Sequence, residues 1–200
     1  YLNHILYGAI NFNDTEVLLK NVSFTKICSE DSLNIVSSNF FIEGGKFEDN
    51  CSDSIDIDFG TGKILNSKFK NIGNDAIDFS GSKVELNDIL IENVGDKLVS
   101  VGEKSNIKIT KLVGNNANIG IATKDGSLSN LEDIKLSNLK IGLASYIKKN
   151  EYKSGKIIAN KIIIDESEKD WLTDESSYII LNNKRLNSST KNLVEIIYGE

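Results

Sequence analysis

The segment Asp53-Ser54-Ile55-Asp56-Ile57-Asp58 returns 22 residues later as Asp75-Ala76-Ile77-Asp78-Phe79-Ser80 and, after the same step, as Lys97-Leu98-Val99-Ser100-Val101-Gly102. A constant step of this size marks one structural unit stacked on copies of itself, each burying its apolar side against its neighbours. The leading apolar residue can be followed through Ile10, Leu33, Ile55, Ile77, Val99, Ile119 and Ile141, with a second one two places on at Phe12, Ile35, Ile57, Phe79, Val101, Ile121 and Leu143. Alternation with period two belongs to a strand with one side buried. A second series, Phe24, Phe47, Phe69 and Ile91, runs through the same units, its members followed by polar turns such as Asn71-Ile72-Gly73 and Asn93-Val94-Gly95. Each unit therefore holds several short strands. The expected fold is an all-β parallel β-helix, a single-stranded solenoid of about eight coils of roughly 22 residues with little helix.

A chain of 200 residues with 40% hydrophobic and 26% charged residues suffices for one such domain, taken as residues 1–200. Proline is absent, so Asn, Asp, Ser and Gly must make the turns. A formal net charge of −6 disfavours nucleic acid, and no basic cluster offsets it; cations or cationic partners fit better. No run approaches the roughly 20 apolar residues of a membrane span, so no membrane insertion is expected. The chain starts at Tyr1 without a leader pattern and reads as a fragment or processed form of something longer. The acidic segment from Asp165 to Ser177 is expected to be an irregular loop inserted before a last coil that resumes at Tyr178. Leu193 to Tyr198 is expected to be a closing strand covering the terminal coil and keeping the domain monomeric.

In-register stacking places Asp53 beside Asp75 and Asp56 beside Asp78, about 5 Å apart. Two unit charges at that distance repel by about 3 kcal/mol at an effective dielectric near 20, so the array calls for a cation, a proton or hydrogen bonds. Ca²⁺ takes hard oxygen ligands in flexible geometry, and Asp53, Asp56, Asp75 and Asp78 are its candidate ligands. The alternative is that these carboxylates accept turn amides or pair with Lys97, which follows Asp53 and Asp75 in the same column. Glu103, Lys124 and Asp125 lie just beyond their strands and are placed to extend a groove. Tyr146, Lys148, Lys149 and Tyr152 combine aromatic faces with cations, a set suited to an acidic sugar. Trp171 reads as an anchor for the acidic segment. Cys28 and Cys51 fall one coil apart; they are read as stacked free thiols, with a disulfide as the alternative. The only histidine is His4, so triad catalysis and histidine metal sites have no support.

The stretches Ser52 to Asp56, Gly73 to Ser82, Gly95-Asp96-Lys97, Gly102-Glu103, Ile119 to Ser127 and Tyr146 to Tyr152 resemble bacterial right-handed parallel β-helix proteins of the pectate-lyase-like superfamily, and more narrowly the C-terminal β-helix domains of CotH-like surface proteins. The resemblance implies an extracellular or cell-surface location. It is compatible with two functions. The first is a non-catalytic domain that presents a polar face to a polysaccharide or cell-envelope component. The second is a calcium-dependent lyase or epimerase on uronate glycans, with Lys97 or Lys124 removing the α-proton. A lysine flanked by carboxylates has its pKa raised, which opposes that second role.

Overall fold

Every turn of the chain is three short strands meeting at corners, and each strand pairs in parallel with the strand about 22 residues before it and after it. The computed structural model describes residues 6–186, 190, 191 and 193–199, and forms a parallel β-solenoid of about eight turns. Face A comprises strands Gly8–Asn13, Asp31–Val36, Asp53–Asp58, Ile77–Ser80 and Lys97–Gly102, continued by the last parts of Asn106–Lys124, Leu128–Tyr146 and Lys156–Thr173. Face B follows from Glu16–Lys20 and Asn39–Glu43, and face C from Ser23–Thr25 and Lys46–Asn50. Both are carried on by successive segments of the longer strands that begin with Thr61–Ile72.

The corners are made by residues in the left-handed region. Asn21, Gly44, Asn66, Asp88, Lys111, Asp133 and Lys161 recur with positive φ between faces B and C. Asp49, Asn71, Asn93, Asn116 and Asn138 do so along face C. Asn and Asp tolerate this conformation better than other residues with a Cβ, which is why they dominate. The same side chains tie coil to coil: Asn71 donates to Asp49 at 2.8 Å, Asn93 to Asn71 at 3.0 Å and Asn116 to Asn93 at 3.1 Å. At the corner between faces A and B, serine hydroxyls accept backbone N–H groups from the preceding coil. Ser82 takes Gly60, Ser105 takes Ser82 and Ser127 takes Ser105, at 2.9, 2.9 and 3.1 Å. Corners are where a solenoid leaves backbone groups unpaired, and these hydroxyls supply the partners.

The core is built by like stacking on like. Leu33, Ile55, Ile77 and Val99 are in register and fully buried. Phe24, Phe47 and Phe69 stack with 4.8 Å between successive ring centroids. The ladder continues through Ile121 and Leu143, not through Ile119 and Ile141 as the sequence suggested. Ile119 instead pairs with Lys97, so the step stays at 22 residues where a step of 20 was expected. The same break in alternation occurs in earlier coils, where Ala76 with Ile77 and Leu98 with Val99 are adjacent and both in the core; Gly120 occupies the position of Leu98, so Ile119 takes the outward place of Lys97. Ile119 and Ile141 consequently face outward and form a separate apolar cluster with Ala122, Ala144, Tyr146 and Leu193.

Three further expectations are corrected. The segment expected as a loop from Asp165 is strand up to Thr173, with Trp171 on Leu143 and packed against the core. The longer coil owes its six extra residues to the corner after Tyr146. Leu193–Tyr198 is a short helix, not a strand, and it covers the outward apolar cluster on face A. Cys28 and Cys51 are joined in a disulfide with their Cα atoms 4.7 Å apart. At the C-terminal end, Lys184–Leu186 turns back antiparallel onto Tyr178–Leu181 and occupies part of the last parallel edge.

The central ring of the phenylalanine stack has aromatic neighbours on both sides and no exposure. Phe47→Ala is expected to lower unfolding stability by about 3–5 kcal/mol, read from urea denaturation; a loss under about 1 kcal/mol would mean the stack is not the core element described.

Candidate functional site on face A

The outward positions of face A form three columns. The first runs Asp31, Asp53, Asp75, Lys97, then Ile119 and Ile141. The second is Asn34, Asp56, Asp78, Ser100 and Ala122, and the third is Val36, Asp58, Ser80 and Gly102 with Lys124 following Thr123 in the next coil. Face A is therefore acidic over its early coils, holds two lysines in the middle, and becomes apolar over its late coils. The structure brings together the four expected aspartates and adds Asp31 and Asp58, which the sequence reading did not select although Asp31 lies one 22-residue step before Asp53. It also adds Asp96, one residue before Lys97.

Asp53 Oδ1 accepts from Asp75 N at 2.9 Å and from Asn74 Nδ2 at 2.6 Å. Asp75 Oδ1 repeats the motif one coil on, accepting Lys97 N at 2.9 Å and Lys97 Nζ at 3.4 Å. Lys97 Nζ also pairs with Asp96. Both the amide-capping and the lysine-pairing readings of the aspartates are thus realised. Asp53, Asp75 and Asp78 each offer a carboxylate oxygen within 4.8 Å of the others. Asp56 stands outside that triad, stacked on Asp78 and receiving Asn34 Nδ2 at 3.4 Å.

Five of these carboxylates, Asp31, Asp53, Asp56, Asp58 and Asp75, are held towards their neutral forms. Burial first, and then the charges of Asp58, Asp78, Asp31 and Asp53, push Asp56 up to about 9. Burial and Asp53 raise Asp31 to about 7. Burial raises Asp75 to about 7 against the opposing pull of Lys97. Asp53 and Asp58 are raised for the same leading reason. The lysines move the other way. Burial opposes the charge on Lys97, but Asp75 and the groups around it carry its pKa above the ordinary lysine value. Lys124, hydrogen-bonded to Ser100 Oγ at 2.9 Å, is raised likewise, with Asp78 overcoming the cost of burial.

The remaining expected residues gather at one end of this surface, Lys148 and Lys149 exposed and the others partly or fully buried. Glu103 accepts Ser80 Oγ at 2.5 Å and pairs with Lys149 at 2.5 Å; against the effect of burial, Lys149 and Ser80 hold it below the usual carboxylate value. Asp125 is fully buried, and its Oδ1 accepts Lys148 N and Lys149 N at 2.8 Å, fixing the corner loop. Asp174 fastens the start of that loop through Ile147 N at 2.6 Å. Tyr146, expected as a surface ring, is fully buried under the C-terminal helix and shares a 2.6 Å hydrogen bond with Tyr198. Tyr198 lies against both Lys97 and Lys148, whose Nζ atoms are 5.4 and 4.3 Å from its ring centre. Tyr152 is half-buried beneath Lys104. Tyr198 and Asp174 had no signal in the repeat, because they lie outside it. His4 lies outside the described residues.

Among the described residues, no helix is long and apolar enough to cross a membrane. Compared with known proteins, the chain matches no family and no curated relative.

A carboxylate whose folded pKa lies above its unfolded value of 3.8 contributes stability that is complete below 3.8 and is lost as the pH rises through the folded value. For Asp56 that window runs from about 4 to about 9. Stability is therefore expected to fall between pH 5 and pH 9. Asp56→Asn should flatten the fall and gain at least about 1 kcal/mol at pH 8, the equivalent of one pKa unit. Thermal unfolding at several pH values checks this, and parallel profiles for parent and variant would refute it.

Proposed function

We propose that this chain is a non-catalytic β-helix domain of the pectate-lyase-like kind, from an exported or surface protein of a bacterium. In this reading face A binds a polysaccharide or another cell-envelope component. The observation that carries the reading is the contrast between the amines and the carboxylates of face A. Lys97 and Lys124 are 4% and 7% exposed and already engaged by Asp75, Asp96 and Ser100. Asp53, Asp56, Asp58 and Asp78 retain accessible surface. A lyase needs an amine free to reach a substrate's α-proton, and neither lysine offers one. This arrangement supports binding over elimination.

The donor chemistry also suits a calcium ion. Ca²⁺ takes about six to eight oxygens at roughly 2.3–2.6 Å, so its ligands lie within about 5 Å of one another; the oxygens of Asp53, Asp75 and Asp78 span 4.8 Å. These three residues would hold the ion, with Asp56 stacked beside Asp78. Bound there, Ca²⁺ would neutralise the array and offer coordination positions to the carboxylate or hydroxyls of a glycan.

Calcium titration by calorimetry of the parent and of Asp75→Asn tests the cation site: binding in the micromolar range is expected, weakened about tenfold or more in the variant. An absence of heat in the parent would remove the ion from the proposal. Incubation with polygalacturonate, followed by ultraviolet absorbance of unsaturated products, tests the rest. Retention of the polymer without product is expected, whereas product formation abolished by Lys97→Ala would establish the lyase instead.

A further inference from the structure

Face B carries a cleft that the acidic surface does not use. Cavities of about 280, 450 and 350 Å³ all reach Thr61. Their floor is one column of outward side chains, Glu16, Asn39, Thr61, Lys83 and Asn106, stacked in register. Four steps of about 4.8 Å make this floor about 19 Å long, parallel to the solenoid axis. Glu16, Asn39 and Thr61 are exposed, and their side chains make no hydrogen bond to another described residue.

The cleft has apolar walls. On the corner side stands Phe59, 66% exposed, with φ at 54°. A left-handed conformation is strained for a bulky residue. The equivalent positions in neighbouring coils are Asp14, Ser37 and Gly81, all with positive φ and all small or polar. One edge of the ring abuts Gly81, where an added Cβ would lie 2.5 Å from Cδ1 and 2.7 Å from Cε1. Phe59 thus opposes folding in its backbone and contributes nothing to the core, yet its ring stands exposed at the rim of a polar cleft. On the opposite side Leu18, 67% exposed, stacks on the half-buried Phe41, with Lys20 Nζ 5.7 Å from that ring's centre.

Charge narrows the occupant. Asp14 and Glu16 line the cleft, and neither forms an ion pair with another described residue. Near Phe59 the cations Lys20 and Lys63 are paired with Glu43 and Glu85 at 3.6 and 2.9 Å, while Lys83 and Lys108 lie at the far end of the floor, grouped around Glu85. An anionic sugar ring seated on Phe59 would meet the carboxylates of Asp14 and Glu16. A neutral sugar presents hydroxyls that carboxylate, amide and hydroxyl groups bind in pairs, and an apolar ring face that packs on an aromatic side chain.

We propose that this cleft binds a neutral linear polysaccharide, with Phe59 as the platform for one sugar ring and Glu16, Asn39 and Thr61 as the hydroxyl-binding floor. The inference rests on the glycan-binding reading but uses a different face and needs no cation. Native electrophoresis through gels containing soluble β-glucan, galactomannan or polygalacturonate, with and without calcium, tests it on the parent, Phe59→Asn, Asn39→Ala and Asp75→Asn. A neutral polymer is expected to retard the parent regardless of calcium. Phe59→Asn relaxes the corner while deleting the ring, so it should weaken that retardation about tenfold or more with a melting temperature no lower than the parent's. Asn39→Ala should weaken it independently, and Asp75→Asn should leave it unchanged. Unchanged retardation in both cleft variants would overturn the cleft. So would retardation by polygalacturonate alone, dependent on calcium and lost in Asp75→Asn, although that result would uphold the face A reading. Loss confined to the cleft variants, with no response to calcium, would uphold the cleft and overturn face A as the glycan site. A parent retarded by no polymer would overturn both.

Discussion

In-register backbone pairing between coils is the constraint on which everything else in this molecule depends. Once each strand pairs with the strand 22 residues away at about 4.8 Å, every side chain acquires its own positional equivalents as neighbours above and below. The rule suits aromatic and aliphatic residues, which gain contact with their own kind, as in the Phe24, Phe47 and Phe69 stack. It suits amides, which donate to one neighbour and accept from the other, as along Asn71, Asn93 and Asn116. It is costly for carboxylates, which can only accept. The early coils of face A nevertheless stack aspartate on aspartate, and the groups respond with raised pKa values and capped backbone amides.

The ladder from Ile10 to Val99, the phenylalanine stack and the aspartate columns were legible in the sequence because each follows from the step alone. The slip at Ile119 was not, because an apolar residue on the outside of a strand reads the same as one on the inside. The covering helix of Leu193–Tyr198 makes that outside position apolar, and a six-residue helix against a distant surface leaves no periodicity to find. The burial of Tyr146 follows from the same helix. Trp171 looked like part of an acidic loop because the alternation of its strand is masked by charges on the solvent side. The face B cleft was invisible for a different reason. Its floor residues are ordinary polar side chains, and only the left-handed backbone at Phe59 sets that ring apart from its polar counterparts.

The two faces divide their chemistry cleanly. Face A gathers charge in partly desolvated columns and is closed at one end by Tyr198 and the corner loop. Face B keeps Glu16, Asn39 and Thr61 exposed between apolar side chains, with its ion pairs Lys20–Glu43 and Lys63–Glu85 beside them. The backbone is shared, but the two side-chain sets point in different directions, so substitutions on one face have no contact route to the other except through the packed core.

The corner loop after Tyr146 shows what this architecture permits. Six additional residues enter the chain there, yet Ile157 still pairs with Ser129 and Leu172 with Ala144. The loop is tied down where it begins, by Asp174 on Ile147 N and by Asp125 on Lys148 N and Lys149 N, and the register on either side is undisturbed. Each corner therefore acts as a port through which a coil can gain a new loop without renegotiating the core, and a solenoid of this kind can diversify its surface one turn at a time.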